Sequence, residues 1–249
     1  MEEIRINNLS KEYYTGSGVV YAVRNLTLSV ARGGVFGFLG PNGAGKTTTM
    51  KMLVGLAEPT SGEILIGGGS PAEIAVRRNF GFMPESPSFY LYLTGFEFLR
   101  FIADIFSLKD CRVRINEILA TVGLLGAEDR QIRTYSKGML QRLGLAQALI
   151  NEPDTLFLDE PLDGLDPLGR AEVKKIFNTL RDKGKTIFFN SHILSDVAEL
   201  CDTVGIIDGG DLVAIGTPTD LSRGYRDLED AFVHVIKGKR EQAPSVSLK

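Results

Sequence analysis

Gly40-Pro41-Asn42-Gly43-Ala44-Gly45-Lys46-Thr47-Thr48 decides the fold. It follows the apolar run Val35-Phe36-Gly37-Phe38-Leu39 and precedes a helix-like segment, Thr49 to Leu56. A buried strand, a glycine-rich turn and a helix, in that order, are what a phosphate-binding loop needs. The glycines let the backbone curl so that successive N–H groups aim at phosphate oxygens, and the helix N-terminus adds partial positive charge. In such a loop Lys46 reaches the β- and γ-phosphates and the Thr47 hydroxyl ligates Mg²⁺. All nine residues are therefore expected nucleotide-binding residues, with Lys46 catalytic as well.

Working outward, the 249 residues with 43% hydrophobic content can bury a sizeable core. The formal net charge of -3 argues against a general nucleic-acid binder, which would carry a basic excess. Cys111 and Cys201 have no C-x-x-C spacing and suggest neither a zinc site nor a disulfide framework. No apolar run approaches the ~18 residues of a membrane span. Met1-Glu2-Glu3 is acidic, unlike the start of a signal peptide. A soluble, cytosolic chain that meets a membrane only through a partner is the expectation.

The flanks read as strands and helices in two styles. Ile4 to Leu9, the alternating Leu26, Leu28 and Val30, and Ser61 to Ile66 suggest an antiparallel layer, with Gly67-Gly68-Gly69 as turn punctuation. Phe98, Phe101, Ile102, Ile105 and Phe106 mark an amphipathic helix, as do Ile115, Ile118, Leu119 and Val122. Lys137 to Ile150 reads as a third helix. Strands then alternate with helices: Thr155 to Leu158, the stripe Val173, Ile176, Phe177, Leu180, then Thr186 to Phe189, then Ile193 to Leu200. Val204 to Ile207 and Leu212 to Ile215 flank a hairpin turn at Asp208-Gly209-Gly210-Asp211. This alternation implies an α/β fold with a largely parallel sheet, an antiparallel β layer and an inserted α-helical subdomain, and the phosphate loop at Gly40 to Thr48 makes a P-loop ATPase core the expectation. Residues 1–224 are expected as one domain, its core lobe at 1–84 and 152–224 and its helical insertion at 85–151. Residues 225–249 read as a short tail, with Lys237 to Lys249 poorly ordered.

A phosphate loop needs a further Mg²⁺ partner and, if water attacks, a base. Leu158-Asp159-Glu160 offers both: Asp159 at the end of a buried strand for the metal, and Glu160 to orient and deprotonate water. Taken alone, Asp-Glu-Pro could simply end a strand, and His192 beside Ser191 could be an ordinary surface histidine.

With these motifs in order, the chain resembles ATP-binding cassette (ABC) ATPases, the nucleotide-binding subunits of membrane transporters. The resemblance runs from about Ile4 to Gly216. It implies that Tyr13 stacks on adenine and that Glu85, where the family usually has its Q-loop glutamine, lies at the Mg²⁺. It implies that Tyr135-Ser136-Lys137-Gly138-Met139 is the signature, with Ser136 and Gly138 gripping the γ-phosphate bound to a second subunit. Asp166 falls in the D-loop, and His192 contacts the γ-phosphate. The implied ligands are ATP and Mg²⁺, with Thr47, Glu85 and Asp159 as metal residues. The implied partners are a transmembrane permease subunit and a second nucleotide-binding subunit, identical or different, in a head-to-tail dimer at the inner face of the cell membrane.

Glu85, Lys137 and Met139 depart from the family's usual glutamine, glycine and glutamine. Similar variants occur in the ABC-2 type exporter branch, and Leu228-Glu229-Asp230-Ala231-Phe232 resembles an ending common there. Two other readings fit less. A soluble cassette acting on nucleic acid or ribosomes would bring coiled-coil insertions or a second cassette. A small-molecule kinase would leave Ser136 to Gly138 and His192 without a role.

Overall fold

In the computed structural model, which describes residues 1–16 and 18–242, the chain opens on two long antiparallel strands. These are β1 (Glu2–Thr15) and β2 (Gly18–Ala31). β3 (Val35–Leu39) runs through the glycine-rich turn into α1 (Lys46–Leu53). β4 (Ser61–Ile66), α2 (Ile74–Arg77) and β5 (Phe80–Met83) follow. The helical middle holds α3 (Gly95–Ile105), α4 (Arg112–Thr121) and α5 (Lys137–Leu149). Alternation then sets in with β6 (Thr155–Asp159), α6 (Pro167–Asp182), β7 (Thr186–Ser191) and α7 (Leu194–Leu200). β8 (Thr203–Asp208), β9 (Asp211–Gly216), α8 (Pro218–Leu221) and α9 (Leu228–Gln242) close the described chain.

Two sheets form. The antiparallel layer has the order β2-β1-β4, and the main sheet has the order β5-β6-β7-β3-β8-β9. Every pairing in the main sheet is parallel except the hairpin of β8 with β9. Alternation along each central strand sorts the core. Phe36, Phe38, Phe157 and Phe188 face the antiparallel layer and pack with Ile4, Ile6, Leu26, Leu28 and Met50. Phe36 and Phe188 stack with centroids 5.1 Å apart. Val35, Leu39, Leu156, Leu158, Ile187 and Phe189 face the other way, into a core shared with α3, α4, α5, α6 and α7. Each of these large side chains contributes about 1.5–3 kcal/mol by leaving water.

Four differences from the sequence reading bear on the site or the core. α1 begins at Lys46, not Thr49, so the lysine of the loop is itself the first helical residue. β1 runs on to Thr15, because the polar, half-exposed to exposed Lys11–Tyr14 stretch still pairs with β2. Phe80–Met83 is a strand that the sequence reading passed over; it is only four residues long and completes the edge of the main sheet beside β6. The expected tail is in fact α9. Leu228, Ala231 and Ile236 are buried, and Phe232 packs against the larger core, at helical spacing. Acidic Glu229 and Asp230 in its first turn and basic Lys239 and Arg240 in its last suit the helix dipole. Of the segment expected to be poorly ordered, residues 237–242 are helical and 243–249 lie outside the described residues.

α3 starts with a reciprocal cap. The Thr94 hydroxyl accepts from the Glu97 N–H at 3.1 Å, and the Glu97 carboxylate accepts from the Thr94 N–H at 2.8 Å. Its apolar stripe is only partly buried: Phe98 and Leu99 are in the core, while Phe101 and Ile105 are exposed.

Candidate active site

Parallel register gathers the chemistry at one edge of the main sheet. Leu39 pairs with Ser191 and Asp159 with Asn190, so the carboxyl ends of β3, β6 and β7 lie side by side. Those ends carry the glycine-rich loop, Asp159-Glu160 and Ser191-His192. The crevice beyond the strand ends of an open α/β sheet is where such folds bind ligands. Here it is a cleft of about 440 Å³ lined by Ala22, Asn42 through Thr48, Glu85, Glu160, Asp163 and His192.

The loop is tightly supported. Gly45 has φ +112°, and a Cβ there would lie 2.3 Å from the Ala22 carbonyl oxygen, so no larger residue fits. The Lys46 ammonium donates to the carbonyls of Gly40 at 2.7 Å and Pro41 at 3.3 Å, which holds the loop curled around it. It is buried and 4.0 Å from the Glu160 carboxylate. Burial pulls its pKa down, opposed by the negative charges of Glu160, Asp159 and Glu85. Thr47 stands exposed at the first turn of α1, where helix N–H groups have no intrahelical partner and favour an anion.

Glu160 sits on strained backbone, with φ +50°. Such strain costs on the order of 1–3 kcal/mol and gathers at functional sites. One oxygen of its carboxylate meets His192 Nδ1 at 2.8 Å and accepts from the His192 N–H at 3.3 Å. Burial raises its pKa, with His192 and then Lys46 pulling the other way. A carboxylate with a raised pKa, next to the phosphate loop, is suited to take a proton from water.

Three residues that the sequence reading did not single out complete this neighbourhood. Asn190 Nδ2 donates to Asp159 at 2.8 Å, and Gln141 Nε2 donates to the Glu160 carbonyl at 3.2 Å. Asp163 lies 3.9 Å from His192 Nε2 and 3.8 Å from the Lys137 ammonium. A polar residue ending the buried run Thr186 to Phe189 was a readable hint for Asn190. Gln141 and Asp163 gave none.

Other expected residues lie elsewhere. Ser136 caps α5, accepting from the Met139 N–H at 3.3 Å, and Asp166 caps α6, accepting from the Gly169 N–H at 2.7 Å. Ser136, Gly138 and Asp166 line a second cleft, of about 410 Å³, which shares no lining residue with the first. Tyr13 is on β1, partly exposed, with the Lys11 ammonium 5.3 Å from its ring, and is not among the lining residues of the first cleft. Asp159 is buried behind Glu160, held by Asn190.

Among the described residues, no three His, Cys, Asp or Glu side chains gather into a metal cage. Mg²⁺ in nucleotide sites is held by one or two carboxylates together with substrate phosphates and water, so it needs no such cage. The oxygen donors of Thr47, Asp159 and Glu85 fit that mode.

The family model described as ABC transporter matches residues 23–163. An uncharacterized ABC transporter ATP-binding protein of Nostoc sp. is 46% identical over 225 residues, covering 88% of this chain and 67% of that protein. A fluoroquinolones export ATP-binding protein of Mycobacterium tuberculosis is 40% identical over 222 residues, covering 88% of this chain and 72% of that one. A solved structure, described as the ATP binding subunit of an ABC transporter, superposes with TM-score 0.83 at 32% identity. It covers 94% of this chain and 99% of its own.

Proposed function

This chain belongs to the ABC transporter family, and we propose that it is the ATPase subunit of an exporter and works as one half of a head-to-tail pair of cassettes. Two separate clefts carry this reading. Lys46, Glu160 and His192 line one, and Ser136, Gly138 and Asp166 line the other. The capped start of α5 offers a hydroxyl, backbone N–H groups and a helix dipole for an anion, yet shares no wall with this chain's own phosphate loop. A second cassette facing it head-to-tail supplies the missing phosphate, and both clefts are then completed at the interface.

Within that pair, the loop N–H groups and Lys46 hold the phosphates, and Tyr13 stacks on the adenine. Glu160 takes the proton of the attacking water, and His192 contacts the γ-phosphate. Thr47, Asp159 and Glu85 hold Mg²⁺, which offsets phosphate charge when bound. Residues 1–84 and 152–224 form the core lobe, with α9 added to it, and residues 85–151 form the helical insertion.

Export is favoured by the relative named for fluoroquinolone export and by the departures Glu85, Lys137 and Met139. We place the chain on the inner face of the cell membrane, held by a transmembrane subunit. Among the described residues no helix is long and apolar enough to cross a membrane. An exposed apolar patch offers the contact: Tyr90, Leu91 and Tyr92 beside Phe101, whose ring meets that of Tyr90 at 5.6 Å. A photo-crosslinker placed at Tyr92 in cells of the source organism is expected to capture a multi-span membrane protein, identified by mass spectrometry. Capture of ribosomal or nucleic-acid-binding proteins instead would overturn the transporter assignment.

Glu85 gives a milder test of the metal residues. It is exposed, lines the cleft with Thr47 and contributes to the field at Lys46. Glu85→Gln is expected to hydrolyse ATP within about tenfold of wild type while needing more Mg²⁺ for half-maximal rate, since a carboxylate attracts a divalent cation more than an amide does. Superimposable Mg²⁺ titrations would remove Glu85 from the metal site.

A further inference from the structure

We propose that Lys239 and Arg240, on α9, are positioning residues for the nucleotide cleft: they hold the β8–β9 turn that braces the phosphate loop. The inference rests on the reading of that cleft as the ATP site, and neither Lys239 nor Arg240 is among the residues lining it.

The turn at Asp208 to Asp211 supports the cleft at two points. The Gly210 N–H donates to the Ala44 carbonyl at 2.9 Å, and the Gly210 carbonyl accepts from the Arg24 N–H at 2.7 Å. Ala44 lines the cleft, and so does Ala22, two residues before Arg24. The start of the loop also rests on β8, since a Cβ at Gly40 would lie 2.3 Å from the Ile207 carbonyl oxygen. A shift of this turn therefore moves the loop and its neighbouring wall together.

What fixes the turn is α9. The Lys239 ammonium donates to the Asp208 carbonyl, and to the Asp211 carboxylate at 2.8 Å. The Arg240 guanidinium donates to both oxygens of Asp208, at 3.0 and 3.3 Å, a two-pronged contact that sets direction as well as distance. Buried Leu228, Ala231 and Ile236 anchor the helix that delivers both cations. The only other basic group paired with either carboxylate among the described residues is Arg24, 4.0 Å from Asp211. Without Lys239 and Arg240, the turn loses four hydrogen bonds from two side chains. It also presents less compensated negative charge beneath a loop that must receive a polyanion. Both effects weaken nucleotide binding and leave the proton-transfer groups in place.

The test uses the full chain, with equilibrium binding of a fluorescent ATP analogue, ATPase kinetics, and hydrogen exchange over the phosphate loop. For Lys239→Ala/Arg240→Ala, Kd and KM for ATP are expected to rise about fivefold, the scale of one ordinary hydrogen bond, because the lost contacts reach the nucleotide only through the turn. kcat should stay within about twofold, and exchange should quicken from Gly40 to Lys46 but not along α6. Lys239→Arg, which keeps the charge, should restore most of the affinity. If the double variant does not fold, Lys239→Gln alone is judged by the same signs. Unchanged ATP affinity, even with a lowered melting temperature, overturns the proposal and leaves α9 as packing only. A fall in kcat at constant KM overturns it too. If the wild-type chain itself fails to bind the analogue, the reading of the cleft fails first, and the inference falls with it.

Discussion

Glu160→Gln is expected to bind ATP normally and to lose at least about 10² in turnover, because the amide keeps the shape and cannot take a proton. The carboxylate is buried, 2.8 Å from His192 Nδ1, and its pKa is raised by burial. The direction of that shift fixes the pH profile. A base works only when deprotonated, so the wild-type rate should begin to fall, as pH drops, at a higher pH than an ordinary glutamate would give. The residual rate of Glu160→Gln should lack that acid limb. ATP that stays unhydrolysed should also hold two chains together, visible as an ATP-dependent dimer in size-exclusion chromatography. Near-normal hydrolysis by this variant would sink the assignment of Glu160 as the base.

Lys46→Ala is the second large effect, with hydrolysis of every nucleotide falling by at least about 10², or roughly 3 kcal/mol of lost charge stabilisation. Two separate losses combine here. The cation that faces developing phosphate charge is gone, and so is the donor that ties the carbonyls of Gly40 and Pro41 into the curled loop. Glu160 also loses the ammonium 4.0 Å away. Because the lysine stabilises the loop as well as the ligand, ATP binding itself should weaken, unlike in Glu160→Gln. Single-turnover rates and nucleotide binding measured side by side separate the two variants. Retained ATP affinity in Lys46→Ala would show that the loop is held without its lysine.

Much of this architecture is legible because its signals are local. The apolar run Val35 to Leu39, the glycines and Lys46-Thr47 lie within one short stretch, and the pattern carries its own mechanism. Asp159-Glu160 is readable as polar residues at the end of a buried strand. Short elements were harder: Phe80–Met83 offers four residues, one of them Gly81, too few for a period to emerge. β1 outran its expected end because Lys11 to Tyr14 looks like a solvated loop and is ordered by partners distant in sequence: β2, Glu58 and Thr60. α9 carries a helical stripe, but the run of polar residues after it hid that stripe in an apparent tail. The contacts around the site were illegible for a different reason. Asn190 and Asp159 are 31 residues apart in sequence and meet only through the register of β6 and β7. The division of the expected phosphate ligands between two clefts likewise depends on where α5 and α6 begin in space.

The bond between His192 and Glu160 has one more consequence, for fuel economy. In this arrangement one oxygen of that carboxylate is engaged by the imidazole, at 2.8 Å, and by the His192 N–H, while the other lies 4.0 Å from the Lys46 ammonium. Nδ1 holds the base while Nε2, 3.9 Å from Asp163, is the nitrogen left to meet a γ-phosphate, so on the proposed reading one ring links the sensor to the base. A displaced imidazole would therefore act on the base as well, and ATP consumption would follow the position of one ring.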